Sequence, residues 1–86
     1  MSHYKKLYEK IKNNPKNVRF EDIDKLLTNV GGFSRRNSGS SHFFYSHPDL
    51  KEITDYVNIP YNKPIKERYI KKALEKFELV NPHFSE

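Results

Sequence analysis

Eighty-six residues, 35% apolar and 31% charged, leave room for one small hydrophobic core, much of whose volume must come from six Phe and six Tyr. With no cysteine there is neither a disulfide framework nor a thiolate metal site, and no apolar run approaches the roughly 18 residues of a membrane-spanning helix. Sixteen Lys and Arg against eleven Asp and Glu give a net charge of +5 and a pI near 9.5, which favours a polyanion, nucleic acid first, or an acidic protein partner. The expectation is a single domain over residues 1–86, with a core at about 5–79, in a reducing cytoplasm with no membrane association.

The chain opens with Tyr4, Leu7, Tyr8 and Ile11 at i, i+3, i+4 and i+7, the apolar stripe of a short amphipathic helix that Asn13, Asn14 and Pro15 end. A second helix is expected from about Arg19 to Asn29. Phe20, Ile23, Leu26, Leu27 and Val30 share one side, and Glu21 and Asp22 occupy the first turn, where the helix dipole favours acids. Gly31 and Gly32 stop it.

The period then moves towards 2. Phe33–Arg36 and Ser41–His47 read as the strands of a hairpin around Asn37, Ser38, Gly39 and Ser40. Pro48–Ile53 reads as a loop or short helical turn. A third strand follows over about Thr54–Ile59, where Asp55, Val57 and Ile59 alternate with Thr54, Tyr56 and Asn58 until Pro60 ends the pairing.

A last helix is expected from Pro64, a residue suited to a first turn, to about Phe77. Ile70, Ala73, Leu74 and Phe77 form its apolar face, and Lys66, Arg68, Lys71, Lys72 and Lys76 cover much of the rest. Residues 80–86 read as a frayed tail. Helix, helix, three strands, helix is an α+β order, and its simplest packing lays the helices on one face of a three-stranded antiparallel sheet.

Residues 35 to 47 concentrate the chemistry: two arginines, a flexible polar turn, and a histidine entering an aromatic run. Guanidinium groups pair with phosphates bidentately, aromatic faces stack bases, and imidazole is the side chain suited to proton transfer near neutrality. RNA supplies its own nucleophile in the 2′-hydroxyl, so a cleaving enzyme needs a proton carrier and cations to stabilise the phosphorane-like transition state. His42 fits the first role, and Arg35 or Arg36 the second. No metal cluster is evident.

Alternation places Arg35 and Arg36 on opposite sheet faces, and of the aromatic run Phe44 is expected inward. His47, before Pro48 at the strand end, reads as structural, and His3 and His83 carry no assigned role. The lysines of the last helix read either as a solvated face or as a backbone-tracking groove with salt-sensitive affinity.

The stretch from Gly39 through Ser40, Ser41 and His42 to His47 and Pro48 resembles the Gly-Ser-His strand opening of the HicA toxins, small ribonucleases of toxin-antitoxin pairs. Asn14 to Asp22 is similar to the block that opens the first core helix in one branch of that family, and the resemblance spans about residues 5–79. It implies a double-stranded-RNA-binding-domain-like fold, and a type II toxin that cleaves mRNA without metal or cofactor and arrests translation. It also implies a HicB-like antitoxin as protein partner.

Counting back from His47 and Pro48 aligns His42 with the family's catalytic histidine, the general acid or base. RNA contacts are expected from Arg35, Arg36, Ser40, Ser41, Lys66, Lys71 and Lys72. The chain departs from the family pattern in two places. Its glycine lies three residues before His42 rather than two, with Ser40 adjacent, and Phe43 stands where a second histidine is frequent.

Two other readings use the same residues. In a non-catalytic RNA-binding module, the basic helix and hairpin grip the backbone while His42 hydrogen-bonds a 2′-hydroxyl or phosphate. In a protein-interaction domain, RNA affinity is incidental and fades near physiological salt.

Overall fold

A computed structural model of the chain describes residues 2–37, 39, 41–50, 56–61 and 65–85. The first amphipathic stripe forms helix α1 (Ser2–Asn13), with Leu7, Tyr8 and Ile11 turned to the core. Tyr4, the first residue of that stripe, stays 45% exposed. A 3₁₀ turn at Pro15–Asn17 leads to α2 (Phe20–Lys25), which continues as a π-helical turn over Leu26–Val30. The expected single helix therefore has two parts.

That wide turn closes where the Gly31 N–H donates to the Leu26 carbonyl at 2.9 Å, and it leaves both Leu26 and Leu27 buried. It also seats Gly31 against α3 (Glu67–Val80). A Cβ at Gly31 would lie 2.9 Å from Phe77 Cδ1 and 3.0 Å from the Leu27 carbonyl oxygen.

Strands β1 (Ser34–Arg36), β2 (His42–Ser46) and β3 (Val57–Pro60) form one antiparallel sheet in that order, with β2 central. Thr54 and Asp55 of the expected third strand, and residues 51–53 of the connection before it, lie outside the described residues. Pro60 is itself the last strand residue and pairs with His42. Elsewhere the register sets Arg35 opposite Tyr45, Arg36 opposite Phe44, Phe43 opposite Ile59, and Tyr45 opposite Val57.

Paired residues share a sheet face. Arg35, Phe43, Tyr45, Val57 and Ile59 accordingly face the helices, while Ser34, Arg36, His42, Phe44, Ser46 and Asn58 occupy the outer face. The expectation for Phe44 is reversed, because Tyr45 sets the parity of β2. Its ring is fully buried, and its hydroxyl donates to Asp24 Oδ1 at 2.7 Å. Burial first, and then the Asp24 hydrogen bond, push the phenol well above its ordinary pKa. Phe43 must then point inward too, where it meets the ring of Phe20 at 4.8 Å.

α3 begins later than Pro64, which lies outside the described residues. Ile65 is drawn into the core and Lys66 is still extended (φ −65°, ψ 142°), so the first turn starts at Glu67. The helix also passes Phe77 and ends where Asn81 caps it. The Asn81 N–H donates to the Phe77 carbonyl at 2.9 Å, and its Nδ2 donates to the Gly31 carbonyl at 3.3 Å.

A 3₁₀ turn at Pro82–Ser85 then returns Phe84 to Tyr8 and Phe77, with centroids at 5.3 and 5.1 Å. The expected frayed tail is packed through Phe84. Tyr8 also donates to Glu78 Oε2 at 2.5 Å, and Lys12 donates to the same oxygen at 2.9 Å, which joins α1 to the end of α3. Among the described residues no helix is long and apolar enough to cross a membrane.

Two outcomes follow from this packing. Gly31→Ala forces a methyl between Phe77 and the Leu27 carbonyl and should destabilise the protein by about 1–3 kcal/mol in a urea titration. Glu78 is held below the usual carboxylate range, first by Tyr8 and then by Lys12. A carboxyl with a lowered folded pKa stabilises above its unfolded value of about 4.3 and loses that contribution as pH falls through the folded value. Glu78→Gln should therefore lower Tm at pH 7, and the gap to the parent should close below about pH 4.

Candidate nucleic-acid interface

Among the described residues of the hairpin loop, Asn37 ties both ends together. Asn37 Nδ2 donates to the His42 carbonyl at 2.9 Å, and Asn37 Oδ1 accepts the Gly39 N–H at 3.0 Å. Gly39 itself has φ 90°, a conformation that side-chain-bearing residues rarely adopt. Ser40 lies outside the described residues. Ser41 is exposed, and its carbonyl accepts the Tyr61 N–H at 2.7 Å, which carries the β2–β3 pairing one bond past His42.

His42 therefore starts β2 from a fixed backbone, with its ring on the outer face. Its Nδ1 lies 3.1 Å from Asn58 Oδ1, the residue diagonal to it on β3. With the amide oxygen turned to the ring, only acceptance is open to Asn58. The neutral imidazole then carries its proton on Nδ1 and keeps its lone pair on Nε2.

Arg36 shares this face, diagonal to His42 across the β1–β2 pair, where backbones are about 7–8 Å apart and within reach of a long side chain. Next along the face, Phe44 meets Tyr56 with ring centroids at 5.4 Å. Two shallow depressions adjoin there. One is lined by Arg36, Phe44, Ser46 and Tyr56, the other by Tyr56, Asn58, Tyr69 and Lys72. Tyr56, 46% exposed, borders both.

The expected phosphate-binding residues separate by what they already hold. Arg35 faces the helices, bonds both oxygens of Asp24 at 3.1 Å, and lies over the Phe43 ring at 5.6 Å. It anchors the sheet to α2 and does not join His42. Lys71 pairs with Glu67 one helical turn away at 3.0 Å. Lys66 is exposed just ahead of α3 and borders neither depression. Arg36 and Lys72 have no carboxylate partner among the described residues.

His47 is placed structurally. Its Nδ1 accepts the Asp49 N–H at 3.0 Å and its ring meets Phe33 at 5.1 Å. The Asp49 carboxylate lies 4.0 Å from the same nitrogen, but the backbone bond needs the lone pair there and so a neutral ring at that atom. Among the described residues, no three His, Asp or Glu side chains cluster as ligands for a metal ion.

Sequence reasoning missed Asn58 and Tyr56. Alternation against Val57 and Ile59 already put both on the outer face, but their meeting with His42 and Phe44 depends on the register between β2 and β3. Asn58→Ala should release the His42 proton from Nδ1. The imidazole ¹⁵N shifts should move from the Nδ1–H to the Nε2–H pattern, with stability changed by no more than about 1.5 kcal/mol. An unchanged Nδ1–H pattern would show that another group sets the tautomer.

Compared with known proteins, the chain matches no family model, no curated protein and no solved structure.

Proposed function

We propose that the chain is a metal-independent endoribonuclease, the HicA-like toxin of a type II toxin-antitoxin pair, which cuts mRNA and arrests translation in the cytoplasm. The observation that carries this reading is the 3.1 Å contact of His42 Nδ1 with Asn58 Oδ1, on the face that also bears Arg36. It leaves Nε2 as the basic nitrogen. An antiparallel sheet with its helices on one face and a final helix after the third strand is compatible with the double-stranded-RNA-binding-domain-like architecture of that family.

In this reaction His42 Nε2 takes the proton of a 2′-hydroxyl as its oxygen attacks the adjacent phosphorus. The protonated ring then supplies a proton to the departing 5′-oxygen, which leaves a 2′,3′-cyclic phosphate and a 5′-hydroxyl. Arg36 offsets the charge that builds on the non-bridging oxygens, and Asn58 holds the ring through Nδ1–H. A HicB-like antitoxin with an acidic surface would complement the net charge of +5 and cover the same face.

One observation favours a second reading, a non-catalytic RNA-binding module. Phe43, where a second histidine is frequent in that family, points into the core against Phe20, so it brings no proton carrier to the outer face.

Cleavage of a long unstructured RNA in excess EDTA, by the parent and by His42→Ala, separates the two. The nuclease reading expects the parent to cut and the variant to lose about 10²–10⁴-fold in rate, with its thermal melt unchanged. RNA that is bound but left whole by both proteins would pass the assignment to the binding module.

A further inference from the structure

We infer that Tyr56 and Phe44 form a nucleobase-stacking step for one unpaired strand of RNA, with Arg36 and Lys72 taking phosphates on either side of it. The inference rests on the reading of the outer face as an RNA surface and goes further, because it assigns a subsite, its ligand, and the strand's course from the β1 edge to the β3 edge.

Three observations converge on it. Tyr56 is 46% exposed, among the largest exposed apolar side chains of the chain, yet it is not isolated. Phe44 supports it at 5.4 Å with an interplanar angle of 58°, a tilted contact that braces the phenol ring. A braced aromatic ring suits stacking on a base, because little side-chain freedom is left to lose when the base arrives.

The second observation is where the cations lie. Tyr56 is the ridge between two depressions, and each has its own cation, Arg36 in one and Lys72 in the other. The third is that these two cations lack carboxylate partners among the described residues, whereas Lys10, Lys12, Arg35 and Lys71 each have one. A cation, an aromatic ridge and a second cation follow the order of phosphate, base and phosphate along an extended strand. Asn58 lines the Lys72 side of the ridge and its Oδ1 lies 3.1 Å from His42 Nδ1, so the stacked base lies near the reacting phosphate.

Such a step needs a base free of its pairing partner, since the faces of paired bases are already stacked within a duplex. The ligand is therefore single-stranded RNA. A duplex, met by shape and backbone charge alone, has no use for Tyr56.

The test measures binding without cleavage, using the full chain and a fluorescent 2′-O-methyl hexanucleotide, whose blocked 2′-oxygen cannot attack. A hairpin duplex of the same chemistry runs beside it. The expected result is that the single strand binds more tightly than the duplex, that Tyr56→Ala weakens it by about tenfold or more, and that Tyr56→Phe restores it. Arg36→Ala and Lys72→Ala should each reduce the slope of log K against log salt by about 0.7. Lys71→Ala, whose ammonium is held by Glu67, should leave the slope unchanged.

Equal affinity for strand and duplex would overturn the inference. So would Tyr56→Ala binding like the parent while keeping its thermal melt. In that case the outer face is left to a protein partner. Because the probe cannot be cut, Tyr56-dependent binding upholds the subsite even if the cleavage assay shows no nuclease.

Discussion

Tyr45 buries its whole ring in the core, and its hydroxyl stays satisfied there because Asp24 Oδ1 accepts it at 2.7 Å. Asp24 is in turn held by Arg35 at 3.1 Å, so a helix, the central strand and an edge strand meet at one carboxylate. An unpaired phenol at that depth costs roughly 1–3 kcal/mol, and a one-residue slip of β2 would orphan it while turning every neighbour to the other face. His42 and Phe44 look outward because Tyr45 cannot. The site's composition is thus decided on the opposite side of the sheet from the site itself.

The same carboxylate divides the arginines. Arg35 is spent on structure and Arg36 is left on the outer face, although the two are adjacent in sequence and chemically alike. A similar division holds farther off, where Lys12 braces Tyr8 and Glu78 while Lys72, beside Asn58, has no carboxylate partner among the described residues. A net charge of +5 says little by itself, because what a polyanion meets depends on which cations the fold has already used.

Much of the architecture is legible in the sequence, because each helix carries an unbroken apolar stripe and β3 alternates cleanly. What escapes are features fixed by distant partners. Three consecutive aromatics, Phe43, Phe44 and Tyr45, hide the period of β2, and only the Asp24 contact reveals which of them are core. Phe84 reads as tail because its partners, Tyr8 and Phe77, are brought to it by packing. Asn58 reads as an ordinary outward polar residue until the register sets it diagonal to His42. The start of α3 moves because Ile65 has to reach the core in an extended stretch, and propensity at Pro64 carries no sign of that. His42, by contrast, stands out from sequence because its neighbours are local: the Asn37 loop and Gly39 are within a few positions of it.

The edge strands are short, with three residues in β1 and four in β3. β3 ends in Pro60, which has no N–H to offer, and β1 carries Arg35 and Arg36 along its brief length. A row of unpaired backbone groups is what lets a foreign strand extend a sheet, and among the described residues little of such a row is on offer. These short described rims favour recognition by side chains across the sheet's broad surface over backbone ladders along its edges.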